Sequence, residues 1–98
     1  MAMTQPIVEG FLKSLGYVHI TGLGTATGIS PPVGTEIVYI QVEGGDIRWR
    51  DDGVDPTTLL GMMAEVGANL FYNGPCADFR AIATSGTPVL NVSFYMRP

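Results

Sequence analysis

Residues 89 to 96, VLNVSFYM, alternate with a strict period of two: Leu90, Val92, Phe94 and Met96 fall on one side, Val89, Asn91, Ser93 and Tyr95 on the other. An extended chain sends successive side chains to opposite faces, so this run predicts a β-strand with one face in a core. EIVYIQV, residues 36 to 42, is apolar on both sides, with Val38, Ile40 and Val42 on one and Ile37 and Tyr39 on the other. Such a strand is expected at the centre of a sheet or under a neighbouring subunit. DIRWR, residues 46 to 50, places Ile47 and Trp49 on a core side and Asp46, Arg48 and Arg50 on the outer side. Core positions read in this way are Val38, Ile40, Trp49, Leu90, Val92 and Phe94, with Trp49 the largest.

Three shorter strand candidates are YVHIT (17 to 21), NLFY (69 to 72) and FRAIA (79 to 83). Each is followed by turn chemistry: Gly22, then Asn73-Gly74-Pro75, then Ser85-Gly86-Thr87-Pro88. TTLLGMMAEVG looks helical until Gly61 in its middle and Gly67 at its end are counted, and it is read as an irregular connection with a short strand near Leu60 to Met63. GLGTATGISPPVG, residues 22 to 34, is expected as a long exposed loop, because Pro31-Pro32 cannot continue a ladder. Near the start, Ile7, Phe11, Leu12 and Leu15 could share a helical face, which Gly10 weakens and Gly16 would end. The alternative there is an extended arm. The expected organisation is therefore an all-β chain: a small antiparallel β-sandwich or jelly-roll-like barrel over residues 17 to 98, preceded by an arm or short helix over 1 to 16.

Composition agrees with one small, turn-rich β domain. The 98 residues include 13 glycines and 7 prolines, are 46% hydrophobic and only 14% charged, against about 25% charged in an average soluble domain. Sparse charge suggests that a partner covers some of the apolar surface. A net charge of -4 argues against binding a nucleic-acid duplex, where Lys and Arg on phosphates supply most of the affinity. The single cysteine, Cys76, excludes a disulfide framework or a cysteine-based zinc site within the chain. The first residues lack the pattern of a secretory signal, and no run approaches the ~20 apolar residues of a membrane-spanning helix. Synthesis in the cytoplasm of a cell is expected.

Candidate chemistry was weighed against architecture. Gly22-Leu23-Gly24-Thr25-Ala26-Thr27-Gly28 could pass for a phosphate loop, but ISPP follows where a helix would have to open. Asp51, Asp52 and Asp55 lack the spacing of a calcium loop, and as neighbours on one turn they cannot flank a glycosidic bond. Gly53 and Pro56 beside them mark a turn. His19 and Cys76 are the only nucleophile and base pair on offer, with no local signature around Cys76. Arg48, Trp49 and Arg50 could grip a sugar or base, although pairing of the arginines with Asp46, Asp51, Asp52 or a neighbouring subunit is the simpler reading. A carbohydrate-binding surface would need a row of exposed aromatics, with Tyr17, Tyr39, Trp49 and Tyr72 as candidates.

IRWRDDGVDPTTLLGM, then NLFYNG, then FRAIATSGTPVLNVSFY together resemble small virion proteins of tailed bacteriophages and prophages. In these, an R-W-R-D-D-G-x-x-P-T segment, a G-M step, a Y-x-G turn and a closing L-N-V-x-Y strand recur in that order. The resemblance covers about residues 36 to 95. It implies a non-enzymatic β-sandwich without cofactor or metal, on the capsid surface as a decoration or cement protein. Its partners would be the major capsid protein and other copies of itself, a homotrimer being the first expectation. A place at the head-tail junction or in the tail is the alternative. Contacts to subunits or shell are expected from Ile37 and Tyr39 on the outer side of EIVYIQV, from Arg48 and Arg50, and from the N-terminal arm.

Overall fold

A computed structural model describes residues 11–98 and shows eight strands: β1 (Lys13–Ile20), β2 (Thr27–Gly28), β3 (Ile37–Glu43), β4 (Ile47–Arg50), β5 (Met62–Ala64), β6 (Asn69–Tyr72), β7 (Arg80–Ala83) and β8 (Val89–Met96). Between β6 and β7 lies a single 3-10 turn, Cys76–Asp78. The strands form two antiparallel sheets, ordered β1-β8-β3-β6 and β2-β7-β4-β5. Pairing is nested: β1 with β8, β2 with β7, β3 with β6 and β4 with β5, as in one long hairpin. Rolling that hairpin brings β3 against β8 and β4 against β7 and closes two layers. This is the eight-stranded jelly-roll order, a build that leaves few open edges.

The alternation read from the sequence sets which side of each strand is inside. Leu90, Val92 and Phe94 of β8 and Val38, Ile40 and Val42 of β3 are fully buried, facing Ile47 and Ala81 of the second sheet. Each large aliphatic or aromatic side chain buried in this way contributes roughly 1.5–3 kcal/mol. EIVYIQV is indeed central, with β8 on one side and β6 on the other.

Four expectations are corrected. The first strand begins at Lys13, not Tyr17, and runs through Gly16, which sits at a register shift with φ 138°. A bulge carries the chain across a position where a helix had been expected to end, and residues 13 to 16 are extended. The remainder of the proposed helix or arm, residues 1 to 10, lies outside the described residues. The stretch 22 to 34 is more than an exposed loop, since Leu23 and Ile29 are buried in the core and Thr27–Gly28 pair with β7. Two isolated apolar side chains in a polar stretch fill space between the sheets, and the Ala83 amide donates to the Leu23 carbonyl. Trp49 is only half-buried at the margin of the core, and Phe79 and Phe94 are the largest side chains fully inside. Lastly, the short strand in TTLLGMMAEVG falls at Met62–Ala64, slightly later than read.

Two of the crossings between the sheets, β3 to β4 and β7 to β8, run side by side. The Thr87 amide donates to the Gly44 carbonyl, Thr84 to Asp46, and the Asp46 amide to the Ser85 hydroxyl. Backbone meets backbone here, and a Cβ on Gly45 would overlap the Ser85 carbonyl. Gly45→Ala is therefore expected to cost about 1–3 kcal/mol in urea unfolding. Gly24→Ala, where a Cβ meets nothing within 4 Å, is expected to stay within about 0.5 kcal/mol of wild type. Phe79→Ala should cost about 3–5 kcal/mol, and a cost near that of Gly24→Ala would show that Phe79 does not anchor the core.

Candidate functional site

The two outer faces of the roll carry the residues singled out in the sequence, and they carry them apart. Register places Tyr17, Ser93, Tyr39 and Phe71 in one line across β1, β8, β3 and β6, on the side opposite the core. Tyr39 and Phe71 meet edge to face with ring centroids 6.1 Å apart. Phe11, Leu12 and Tyr95 join them around an open groove of about 440 Å³. Phe71 is 69% exposed, Phe11 65% and Tyr17 59%. The Tyr17 hydroxyl donates to Asn91, whose amide donates to Glu43, each at 2.6 Å, so the polar rim beside the aromatic line is already paired.

Ile37, expected to reach a partner, is 8% exposed and is covered within its own chain. Tyr39 is half-buried. Phe71 was overlooked although its signal was present: in NLFY, Leu70 and Tyr72 take the inner side and leave Phe71 outward.

Arg48 and Arg50 lie on the outside of the other sheet and do not join Ile37 and Tyr39. Arg48 donates to the carbonyls of Gly61 at 2.8 Å and Thr58 at 3.3 Å. Arg50 makes a two-pronged bond to Asp52, at 3.0 and 2.5 Å, which holds the Asp52 carboxyl below the usual range. Both groups are solvated, so this pair contributes little to stability. The three aspartates of DDGVD turn to three different partners: Asp51 accepts from the Tyr72 hydroxyl at 2.5 Å, Asp52 from Arg50, and Asp55 lies 2.6 Å from Arg80 Nε. That last contact is an ion pair without the geometry of a hydrogen bond, while Arg80 Nη2 donates to the Ala26 carbonyl at 2.9 Å. IRWRDDGVDP is thus a strand end and a turn pinned at several points.

That pinned segment presents a second apolar surface. The Thr57 hydroxyl accepts from the amides of Leu59 and Leu60, and the Thr57 amide donates back to the Leu60 carbonyl. This closed turn holds Leu59 80% and Leu60 60% exposed, beside Met62 and Met63 on the outermost strand of the sheet. A Cβ on Gly61 would press on Arg48, Trp49 and Pro56, and its φ of 140° suits glycine.

Other candidate groups do not converge. His19 is exposed on β1 and Cys76 is buried just beyond β6, at opposite edges of a four-stranded sheet, at least ~14 Å apart at the usual strand spacing. Among the described residues no three His, Cys, Asp or Glu side chains gather as a metal site would need. The glycines after β1 open no helix. Of the four aromatics considered for sugar binding, Tyr17 and Tyr39 share the outer line, whereas Trp49 and Tyr72 pack together toward the core. No helix among the described residues is long and apolar enough to cross a membrane. Compared with protein families, curated proteins and solved structures, the chain matches none.

One titration can be checked. Burial first, and then the Asp51 carboxylate that accepts its proton, hold the Tyr72 phenol well above the ordinary value of 10.0. A pKa raised by folding stabilises the protein fully below the unfolded value and loses that contribution as pH rises toward the folded one. Wild type should therefore exceed Tyr72→Phe in urea stability at pH 8, with the difference shrinking progressively above pH 10. A difference independent of pH would contradict the Tyr72–Asp51 bond.

Proposed function

We propose that the protein is a non-enzymatic structural component of a bacteriophage particle, a decoration or cement protein that bridges subunits of the shell. The observation that carries this reading is the pair of apolar surfaces on the outsides of the two sheets: the aromatic face around Tyr39 and Phe71, and the turn bearing Leu59 and Leu60. A molecule that joins neighbours needs two contact surfaces that do not compete, and the two sheets separate these. Exposed apolar patches of this kind commonly mark interaction sites.

The jelly-roll order is compatible with this role but does not decide it, because capsid proteins, lectins and cupins all use it. The sequence resemblance over residues 36 to 95 supports a particle component, and the outward leucines fall inside its first segment, IRWRDDGVDPTTLLGM. Binding at many equivalent positions would favour the assembled lattice by mass action.

The test is the copy number of this protein in purified parent particles, measured by quantitative mass spectrometry against the major capsid protein. A ratio close to that of the shell subunit is expected. A few copies per particle would move the protein to the neck or tail, and its absence would overturn the reading. Leu59→Ser/Leu60→Ser is expected to lower the bound copies several-fold while leaving the melting transition of the free protein in place.

A further inference from the structure

We infer that the aromatic outer face of the β1-β8-β3-β6 sheet is where copies of this chain pack against each other, with the line Tyr17, Tyr39 and Phe71 at the contact. This names the partner of one of the two surfaces on which the bridging reading rests. The surface around Leu59 and Leu60 is then free for a different protein.

Area is the first argument. At ~200 Å² for a whole aromatic side chain, the exposed parts of Phe11, Tyr17 and Phe71, at 65%, 59% and 69%, leave on the order of 400 Å² open on each copy. Half-buried Tyr39 and Tyr95 add to this. Two such faces together approach the ~1,000 Å² at which specific protein interfaces begin. Tyrosine and phenylalanine are also the side chains enriched at the centres of such interfaces.

Charge is the second argument, and it separates the two surfaces. With a net charge of -4 per chain, copies repel unless the touching faces are nearly neutral. Of the outward residues on the four strands, only Glu43 carries a carboxylate, and it accepts from Asn91 at the end of β3 away from Ile37. Beyond the Ile37 end of β3, Glu36 is paired with Arg97. The Leu59 and Leu60 surface adjoins Asp51, Asp52 and Asp55, with Glu65 just past β5, and acid outnumbers base there even though Arg50 pairs with Asp52 and Arg80 with Asp55. Self-contact there would set carboxylates of one copy against those of the next, a cost that the aromatic face avoids. A face that meets its own kind also closes about a symmetry axis instead of growing into a filament.

Sedimentation velocity of the full chain over a wide concentration range tests this. Wild type is expected to sediment as a closed dimer. Tyr39→Ser/Phe71→Ser should fall to the mass of one chain with an unchanged far-ultraviolet circular dichroism spectrum, and Leu59→Ser/Leu60→Ser should keep the oligomer. Should the first variant fail to fold, Phe71→Lys replaces it, because that side chain is largely solvent-exposed. A wild type that is monomeric throughout would overturn the inference. So would an oligomer that survives a folded aromatic-face variant or dissociates only on loss of the leucines. Particle binding through Leu59 and Leu60 is measured separately, so a monomeric protein that still occupies particles would sink this inference and leave the bridging reading standing.

Discussion

Two four-stranded sheets of this size need something to fix one against the other, and Trp49, Phe79 and Tyr72 supply it. The indole stacks on Phe79 at 5.0 Å and 20°, and Tyr72 meets both rings edge on, at 5.8 and 5.3 Å. Trp49 belongs to the second sheet, Tyr72 to the first, and Phe79 to the segment that passes between them. Each favourable aromatic pair adds about 0.5–1.5 kcal/mol beyond the area it buries. In a domain of 98 residues, where net stability is typically only about 5–15 kcal/mol, three such pairs at one seam carry weight.

The same cluster reaches out to the surface. The hydroxyl of Tyr72 ends on Asp51, the first residue of the turn, while Arg48 on the neighbouring strand grips the carbonyls of Thr58 and Gly61 at its far end. Position in the core is thereby transmitted to the segment that holds Leu59 and Leu60 outward. The leucines are exposed on a turn fixed at both ends, so little conformational entropy remains to be lost when a partner covers them. The charged residues of IRWRDDGVDP serve this purpose, and none is left free to grip a ligand in the way that two arginines flanking a tryptophan first suggest.

Most of the fold is written locally in the chain. VLNVSFYM, EIVYIQV and NLFY form strands over nearly the residues that their alternation marks, because period two and burial on one side are properties of a few consecutive residues. What escaped depends on distant parts. Leu23 and Ile29 look like stray apolar residues in a glycine and threonine loop, and only the gap between the sheets makes them core. Ile37 reads as outward from its phase yet is buried by neighbours that no local pattern names. Trp49 reads as the largest core residue, but it sits half-buried at the margin, with its ring against Phe79 and Tyr72. Of the expected contact residues, Tyr39 remains on an open apolar face together with Phe11 and Leu12 of the expected arm, while Arg48 and Arg50 are engaged by their own turn.

Nested pairing explains how one short chain keeps two exposed apolar surfaces apart. In a rolled hairpin, β1, β3, β6 and β8 form one sheet and β2, β4, β5 and β7 the other, so a substitution on the outside of either is separated from the other outside by the whole core. The sparse charges follow the same division. Asp51, and Asp52 and Asp55 with their arginine partners, lie with the second sheet and its turn, and the aromatic face of the first is almost without charge. A single pattern of alternation thus sets the fold and also separates the aromatic face from the charged turn.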